Sequence, residues 1–284
     1  MAKLIQYRTN ASLYDGAFDS VVGWKAAGMG YMITSSEGLL VIDGGLPDDA
    51  ENFVELLEQN SIGNPKIKKW IITHPHSDHY GALHAISKNA SLASRLNVEE
   101  LIFYFPADFM TNEGVHISAD AQRQMEEIAD TFGARIHTPG YNERQTLGEL
   151  EIHFIYTPDD CSIFKGQQNA NVSSLIFTVK GKEKKAMFTG DAFRRSLQMT
   201  VWRFGKDLKC DILQMPHHGL CDTGLWDFYK AVNAQTLLVP TSIAGNRSMH
   251  SGEHKESDTA PNLWAEQNAS VVLNAFNGTA ELEI

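Results

Sequence analysis

Each half of the chain begins with short strand-like segments and continues into alternating strands and helices. In the first half, apolar runs at 31–34 and 39–42 predict a hairpin, and residues 50–59 carry apolar side chains at helical spacing. In the second half, residues 145–156 predict another hairpin because apolar residues alternate with others. The pattern therefore predicts an α/β (α+β) fold in which two sheets face each other with helices outside, a four-layer αββα sandwich.

The same patterns predict the remaining elements. Further strands are expected at 68–73, 101–105, 134–137, 172–179, 185–189, 211–215, 236–239, 270–273 and 279–283. Further helices are expected at 80–95, 118–132, 224–232 and 258–267. No linker-like segment separates the halves, so residues 1–284 are predicted to form one domain.

The charge balance limits the partners of the protein. The chain has 24 Lys and Arg against 35 Asp and Glu, a net charge of −11. This excess of negative charge argues against binding of extended nucleic acid, which needs a basic surface. Bound divalent cations would reverse the sign locally, so a small anionic substrate remains compatible with the composition.

Targeting signals and cysteine usage favour a cytoplasmic location. The first ten residues turn polar after two apolar positions and contain no signal-peptide core. No run of about 18 apolar residues occurs, so no membrane span is expected. The three cysteines, Cys161, Cys210 and Cys221, are odd in number and lack CxxC spacing, which predicts free thiols in a reducing compartment.

The densest polar motif, His74-Pro75-His76-Ser77-Asp78-His79, directly follows the predicted strand at 68–73. Imidazole and carboxylate groups at this density suit divalent metals such as zinc. A tight loop leaving a buried strand can direct these side chains toward one point. The alternative is a histidine-rich polar surface loop, but three histidines and an aspartate at such offsets arise rarely by chance.

This motif resembles the HxHxDH hallmark of the metallo-β-lactamase superfamily. Asp43, at the end of a predicted strand, is similar to the family's Asp-Gly motif, whose carboxylate supports a ligand histidine. Thr189-Gly190-Asp191 is similar to the motif whose aspartate bridges two metals. Pro216-His217-His218-Gly219 is similar to the late histidine motif, which implies His217 as a ligand and His218 as a structural residue beside the ligands.

The resemblance implies two divalent metal ions, zinc in the first place with manganese or iron as alternatives. The first metal would be bound by His74, His76 and Asp191. The second metal would be bound by Asp78, His79, Asp191 and His217. Metals about 3.5–4 Å apart can make water a nucleophile at neutral pH and stabilise charge that develops on oxygen.

The chain departs from the common family pattern between the first motif and Asp191, where a further metal-binding histidine is usual. His137-Thr138-Pro139-Gly140 resembles a thioesterase-type motif, but a hairpin and two strands separate it from Asp191. The expected place holds Asn171-Val172-Ser173-Ser174-Leu175 instead, which resembles the branch of competence-type DNA-uptake hydrolase domains and choline-phosphate esterases. Asn171 would then lie near the first metal, with a strand-entry cap as the alternative.

A late segment, Gly245-Asn246-Arg247-Ser248-Met249-His250, is similar to a segment of the same branch. It makes His250 a candidate for protonating the leaving group or holding a phosphate oxygen, since imidazole can do either near neutral pH. An exposed loop histidine is the alternative. With Asp78 and Asn171, His250 completes the set of candidate catalytic residues.

The function that these residues imply is a metal-dependent hydrolase of a phosphodiester or another phosphoester, acting on a small anionic substrate. A carboxylic ester, thioester or lactone hydrolase could use the same centre with different pocket walls. A non-catalytic metal-binding interaction module is the alternative from another class. The sequence leaves the substrate and the oligomeric state open.

Overall fold

The structure is a computed structural model that describes residues 2–17, 28–106, 113–159, 170–220 and 224–284. Two of the predicted free thiols, Cys161 and Cys221, lie outside the described residues, whereas Cys210 is a buried free thiol. None of the helices in these ranges is long and apolar enough to cross a membrane.

Strands and α-helices alternate over most of the described chain. The strands are β1 (Lys3–Gln6), β2 (Gly30–Ser35), β3 (Gly38–Asp43), β4 (Lys66–Ile71), β5 (Asn97–Val98), β6 (Glu100–Ile102), β7 (Arg135–His137), β8 (Arg144–Leu147), β9 (Leu150–Tyr156), β10 (Ile176–Lys180), β11 (Lys185–Phe188), β12 (Ile212–Gln214), β13 (Thr236–Val239), β14 (Val271–Asn274) and β15 (Ala280–Glu283). The helices are α1 (Ala50–Gln59), α2 (Ser77–Lys88), α3 (Ala90–Ala93), α4 (Glu113–Phe132), α5 (Arg194–Phe204), α6 (Trp226–Val232), α7 (Ile243–His250) and α8 (Glu256–Asn268).

The strands form two mixed sheets. The first sheet has the order β15-β1-β2-β3-β4-β6-β7, with β5 also paired to β4. The second has the order β14-β13-β12-β11-β10-β9-β8. In the first sheet β3, β4 and β6 run parallel, and in the second β11, β12 and β13 do. Parallel strands end at the same edge, so each sheet gathers several loops at one place.

Three buried apolar clusters show four layers. One cluster lies between the sheets, where Leu40 of the first sheet belongs to the same core as Phe177 and Phe188 of the second. A second cluster packs α1, α2 and α4 against the outer face of the first sheet around Trp70. A third packs α5, α6 and α8 against the outer face of the second sheet around Leu213. The predicted αββα sandwich is confirmed.

The indole of Trp70 connects this packing to the edge where the loops meet. The side chain is fully buried, and its N–H donates to the backbone carbonyl of Asp43 at 2.9 Å. Full burial of a large apolar side chain contributes about 1.5–3 kcal/mol. The contact thus fixes the end of β3 against β4, next to the residues that follow both strands.

Several predicted elements differ from the structure. The helix predicted at 80–95 is broken at Asn89, whose side-chain oxygen accepts from the N–H groups of Ser91 and Leu92 and starts α3. The strand predicted at 172–179 begins only at Ile176, because Ala170–Ser173 forms a 3-10 turn. Helix α4, predicted at 118–132, begins at Glu113, and helices α5 and α7 were not predicted.

Candidate metal centre

The ends of parallel strands from both sheets meet at one site. In the first sheet, Asp43 ends β3, and the segment after β4 leads through Thr73 into His74. In the second sheet, Asp191 follows β11. The Leu175 N–H donates to the Thr73 carbonyl at 2.9 Å, which ties the two edges together.

The loop after β4 folds so that its polar residues face inward. His76 is extended and precedes the first turn of α2, which carries Asp78 and His79. A carboxylate in the first turn of a helix is stabilised by the helix dipole. His74 and His79 are fully buried, and Asp78 is 8% exposed. These polar side chains would be costly at such depth without compensating partners.

The first subsite consists of His74, His76 and Asp191. The Nε2 atom of His74 lies 3.1 Å from Nδ1 of His76 and 3.7 Å from an oxygen of Asp191. All three ligand atoms lie within 4.8 Å of one another, a spacing that a single cation can span.

The second subsite consists of Asp78, His79, Asp191 and His218. The Nε2 atom of His218 lies 3.1 Å from Asp78 Oδ2 and 3.4 Å from Asp191 Oδ2. The Nε2 atom of His79 lies 3.6 Å from Asp78 Oδ2 and 3.4 Å from Asp191 Oδ1. Asp191 belongs to both subsites, as a bridging carboxylate would.

Buried atoms in the second subsite show that its residues fit a cation. The Nε2 atoms of His79 and His218 and the Oδ1 atom of Asp191 are buried and make no hydrogen bond of acceptable geometry. A buried polar atom left unsatisfied costs about 1–3 kcal/mol. Imidazole nitrogen and carboxylate oxygen are the donors that zinc and similar metals take, so a cation among these atoms would satisfy all of them.

The pKa values of the cluster residues also indicate a site that fits a cation. Burial alone would lower the pKa of His218, but the carboxylates of Asp191 and Asp78 outweigh it and raise that pKa to about 10. Burial opposes charge on His79 as well, yet Asp191 and Asp43 raise its pKa well above the ordinary value. For Asp191, burial is outweighed by the imidazoles of His218 and His79, and its pKa falls well below the usual range. The cluster therefore attracts positive charge at its centre.

Asp43 holds His79 from behind. Its backbone is left-handed, with φ 53°, at the end of β3. Its Oδ1 accepts from the Thr73 N–H at 2.8 Å, and its Oδ2 lies 2.8 Å from Nδ1 of His79. A carboxylate in this position orients the imidazole so that Nε2 faces the cluster.

The structure turns the side chain of His218, the residue expected to be structural, toward the second subsite, and not that of His217, the expected ligand. Both residues have left-handed backbones, with φ 49° and 58°. The chain therefore turns sharply after Pro216 and directs the second imidazole inward. The Nδ1 atom of His218 lies 2.9 Å from the Pro240 carbonyl oxygen. The side chain of His217 is 29% exposed, and its Nε2 is 3.9 Å from Asp191. The sequence did not show which of two adjacent histidines would face the cluster.

His250, which was expected to act on the substrate, makes its side-chain contacts with α7 and α8. It ends α7, and its side chain is 44% exposed. Its Nδ1 lies 2.8 Å from the Asn246 carbonyl oxygen and its Nε2 lies 3.0 Å from Glu266. Both ring nitrogens are therefore engaged with α7 and α8.

Asn171 and His137 occupy different surroundings. Asn171 is buried in the 3-10 turn before β10, and its carbonyl accepts from the Ser174 N–H at 3.0 Å. Ser174 Oγ in turn accepts from the Asp191 N–H at 3.0 Å, so this turn positions Asp191. His137 lies on the edge strand β7, with its Nε2 2.7 Å from Glu143.

Comparison with known proteins identifies similar sequences and folds. Residues 27–163 match the family model of the metallo-β-lactamase superfamily. No curated protein sequence matches the chain.

Similar solved structures share little sequence with the chain. Zinc-bound PqqB from Methylobacterium extorquens has a TM-score of 0.57 at 11% identity, with 100% of both chains covered. CmlA, a diiron β-hydroxylase from Streptomyces venezuelae, has a TM-score of 0.52 at 10% identity, covering 99% of this chain and 54% of CmlA. A diphosphatase of the PhnP family has a TM-score of 0.50 at 15% identity, covering 100% of this chain and 98% of the other. At these identities the likeness shows the fold alone.

Proposed function

We propose that this chain is a member of the metallo-β-lactamase superfamily and a metal-dependent hydrolase that cleaves a phosphodiester or another phosphoester. We assign one metal to the first subsite and a second to the second subsite, with Asp191 shared between them. Zinc is the first choice because the donors are imidazole nitrogens and carboxylate oxygens, which also accept manganese and iron.

A divalent cation in these subsites would supply Lewis-acid chemistry, polarising a phosphoryl oxygen and making water nucleophilic near neutral pH. The residues of the chain supply orientation. Asp43 fixes the ring of His79, and the Pro240 carbonyl fixes that of His218. Because these rings are held rigidly, the site is preorganised for the charge that develops on oxygen.

The observation that carries the phosphoester proposal is the composition of the first subsite. It contains two imidazoles and one carboxylate, His74, His76 and Asp191, among the described residues. A carboxylic ester or thioester hydrolase of this fold would require a third imidazole in this subsite, and His137 of the thioesterase-type motif is the residue that could provide it. His137 is instead paired with Glu143 on an edge strand. The first subsite thus leaves more room for substrate oxygens.

His217 takes the substrate-facing place first given to His250. It is partly exposed beside the bridging Asp191, and its ring stands edge-on to Phe193 at 5.5 Å between centroids. We propose that it donates a hydrogen bond to a substrate oxygen. Asn171 supports the first subsite through the turn that holds Asp191, and Asp78 acts as a ligand of the second metal.

The substrate is proposed to be small and anionic. The net charge of −11 disfavours extended nucleic acid, which needs several cationic contacts to phosphates. The shared core between the two sheets supports one hydrolase domain over residues 1–284. The buried free thiol of Cys210 is compatible with the cytoplasmic location that we propose.

The test is a substrate panel with metal-loaded protein. Protein reconstituted with zinc or manganese is assayed on bis-p-nitrophenyl phosphate, p-nitrophenyl phosphorylcholine, p-nitrophenyl butyrate, a thioester and a lactone. We expect turnover of a phosphodiester and its loss in Asp191→Asn. Turnover confined to the carboxylic ester, thioester or lactone would favour the second hydrolase class. Bound metal without turnover of any substrate would favour the interaction module.

A further inference from the structure

The side chain of Thr73 contacts one histidine of each subsite, although it belongs to neither subsite. Its Oγ1 donates to Asp43 Oδ2 at 2.9 Å. The same oxygen lies 3.2 Å from Nδ1 of His74 and 3.3 Å from Nδ1 of His79. Thr73 is fully buried, so water does not compete for these contacts.

The protons available on these groups determine the direction of each hydrogen bond. A threonine hydroxyl has a single proton, and here the carboxylate oxygen of Asp43 accepts it. The oxygen of Thr73 then has only lone pairs left for His74. A favourable contact at 3.2 Å requires His74 to carry its proton on Nδ1. Its Nε2 lone pair consequently faces His76 and Asp191 in the first subsite.

We propose that Thr73 is a positioning residue that relays the orienting effect of Asp43 to His74, so that one carboxylate sets the tautomer of a histidine in each subsite. Asp43 acts directly on His79 and through the Thr73 hydroxyl on His74. The relay runs from the His74 Nδ1–H to Thr73 Oγ1, and from the Thr73 O–H to Asp43 Oδ2. It couples the first and second subsites through a buried network.

The local packing keeps the relay in place. A Cβ atom added at Gly190 would lie 2.8 Å from Thr73 Oγ1, closer than side chains tolerate, so the glycine lets the Asp191 loop close over Thr73. Gly190 also has φ 51°, which favours glycine. The Thr73 backbone N–H donates to Asp43 Oδ1 at 2.8 Å and fixes the hydroxyl relative to the carboxylate.

The relay rests on the proposed metal sites, and its test does not use turnover. Thr73→Val removes the hydroxyl at nearly constant shape, and Thr73→Ser retains it as the matched control. Zinc is titrated against a chromophoric chelator that resolves two binding steps, with His74→Ala identifying the step of the first subsite. We expect Thr73→Val to weaken that step by about tenfold or more, while the other step changes less and Thr73→Ser behaves as wild type.

A spectroscopic measurement on metal-free protein is independent of metal affinity. Nitrogen-15 NMR of labelled histidines is expected to show His74 protonated on Nδ1 in wild type and in Thr73→Ser, with this preference lost in Thr73→Val. Unchanged affinity and tautomer in Thr73→Val would overturn the relay. If Thr73→Val does not fold, the NMR spectrum of the wild-type protein tests the relay by itself. A His74 proton on Nε2 in that spectrum would overturn the relay. A protein with the expected tautomer that binds no metal would contradict the proposed function and leave the relay standing.

Discussion

Among single residues, the adjacent histidines 217 and 218 are proposed to serve different roles, His218 in metal binding and His217 in substrate contact. His218 is 2% exposed, and its Nε2 lies 3.1 Å from Asp78 Oδ2 and 3.4 Å from Asp191 Oδ2, whereas the side chain of His217 is 29% exposed and its Nε2 lies 3.9 Å from Asp191. Their side chains are identical and their positions consecutive. A pair of alanine substitutions therefore compares position alone.

We expect His218→Ala to lose metal from the second subsite and to lower activity by about a hundredfold or more. His217→Ala should keep its metal and lower kcat/KM on the order of tenfold, the effect of one hydrogen bond to a charged group. Metal content by elemental analysis and steady-state kinetics measure both effects. Full metal content in His218→Ala with loss in His217→Ala would show that the two roles were assigned the wrong way round.

The charge state of His218 gives a pH dependence. With its pKa raised to about 10, His218 is protonated at neutral pH in the metal-free protein, and a cation must displace that proton. Zinc affinity should therefore rise as pH increases from about 6 to about 8 and fall as protons return. Calorimetric titration in two buffers of different ionisation enthalpy should show proton release. Identical binding enthalpies in both buffers would contradict this charge state.

At the scale of secondary-structure elements, much of the architecture could be predicted because apolar periodicity is local. The hairpin of β2 and β3 and the helix α1 follow patterns visible in their own residues. The break at Asn89 depends on a side chain capping the next turn, and periodicity does not report caps. The 3-10 turn before β10 depends on contacts with the Asp191 loop, which come from tertiary packing.

The same distinction between local pattern and tertiary packing applies to the residues of the candidate site. The six-residue motif and Asp191 could be predicted because each follows its own strand in the sequence. The choice of His218 over His217 could not, because it depends on two left-handed backbone residues and a carbonyl of the neighbouring strand's loop. The position of His250 could not be predicted either, since it follows from the packing of α7 against α8.

The close approach of Gly190 to Thr73 predicts that a side chain at position 190 destabilises the protein. Gly190 and Gly133 both have left-handed backbones, with φ 51° and 64°. A Cβ atom added at Gly190 would lie 2.8 Å from Thr73, whereas a Cβ atom added at Gly133 would have no neighbour within 4 Å. We expect Gly190→Ala to lower the free energy of unfolding by about 1–3 kcal/mol more than Gly133→Ala. Urea unfolding of the metal-free proteins measures the difference. Equal losses would mean that the loop does not pack tightly on Thr73.

Across the whole molecule, the cluster is assembled only when the two sheets dock. The first sheet contributes the residues that follow β4, namely His74, His76, Asp78 and His79. The second sheet contributes Asp191 after β11 and His218 after β12. A cation shared by these residues binds the native state and not the unfolded chain, so binding stabilises the fold. The sandwich therefore serves as the scaffold that brings the ligands of both sheets together.

Metal should consequently raise the thermal stability of the whole chain. At zinc concentrations about a hundredfold above the dissociation constant, Tm should rise by roughly 5 °C or more. Asp191→Asn should reduce this rise sharply because Asp191 belongs to both subsites. Differential scanning calorimetry with and without chelator measures it. A Tm independent of zinc would show that the cluster does not link the two sheets.

Cations are proposed to occupy the two subsites on either side of Asp191. The most direct measurement is anomalous scattering at the zinc edge from crystals of zinc-reconstituted protein. We expect two peaks, one beside His74 and His76 and one among Asp78, His79 and His218. Absence of any peak at Asp191 after reconstitution, or a peak coordinated by His217 in place of His218, would contradict the account.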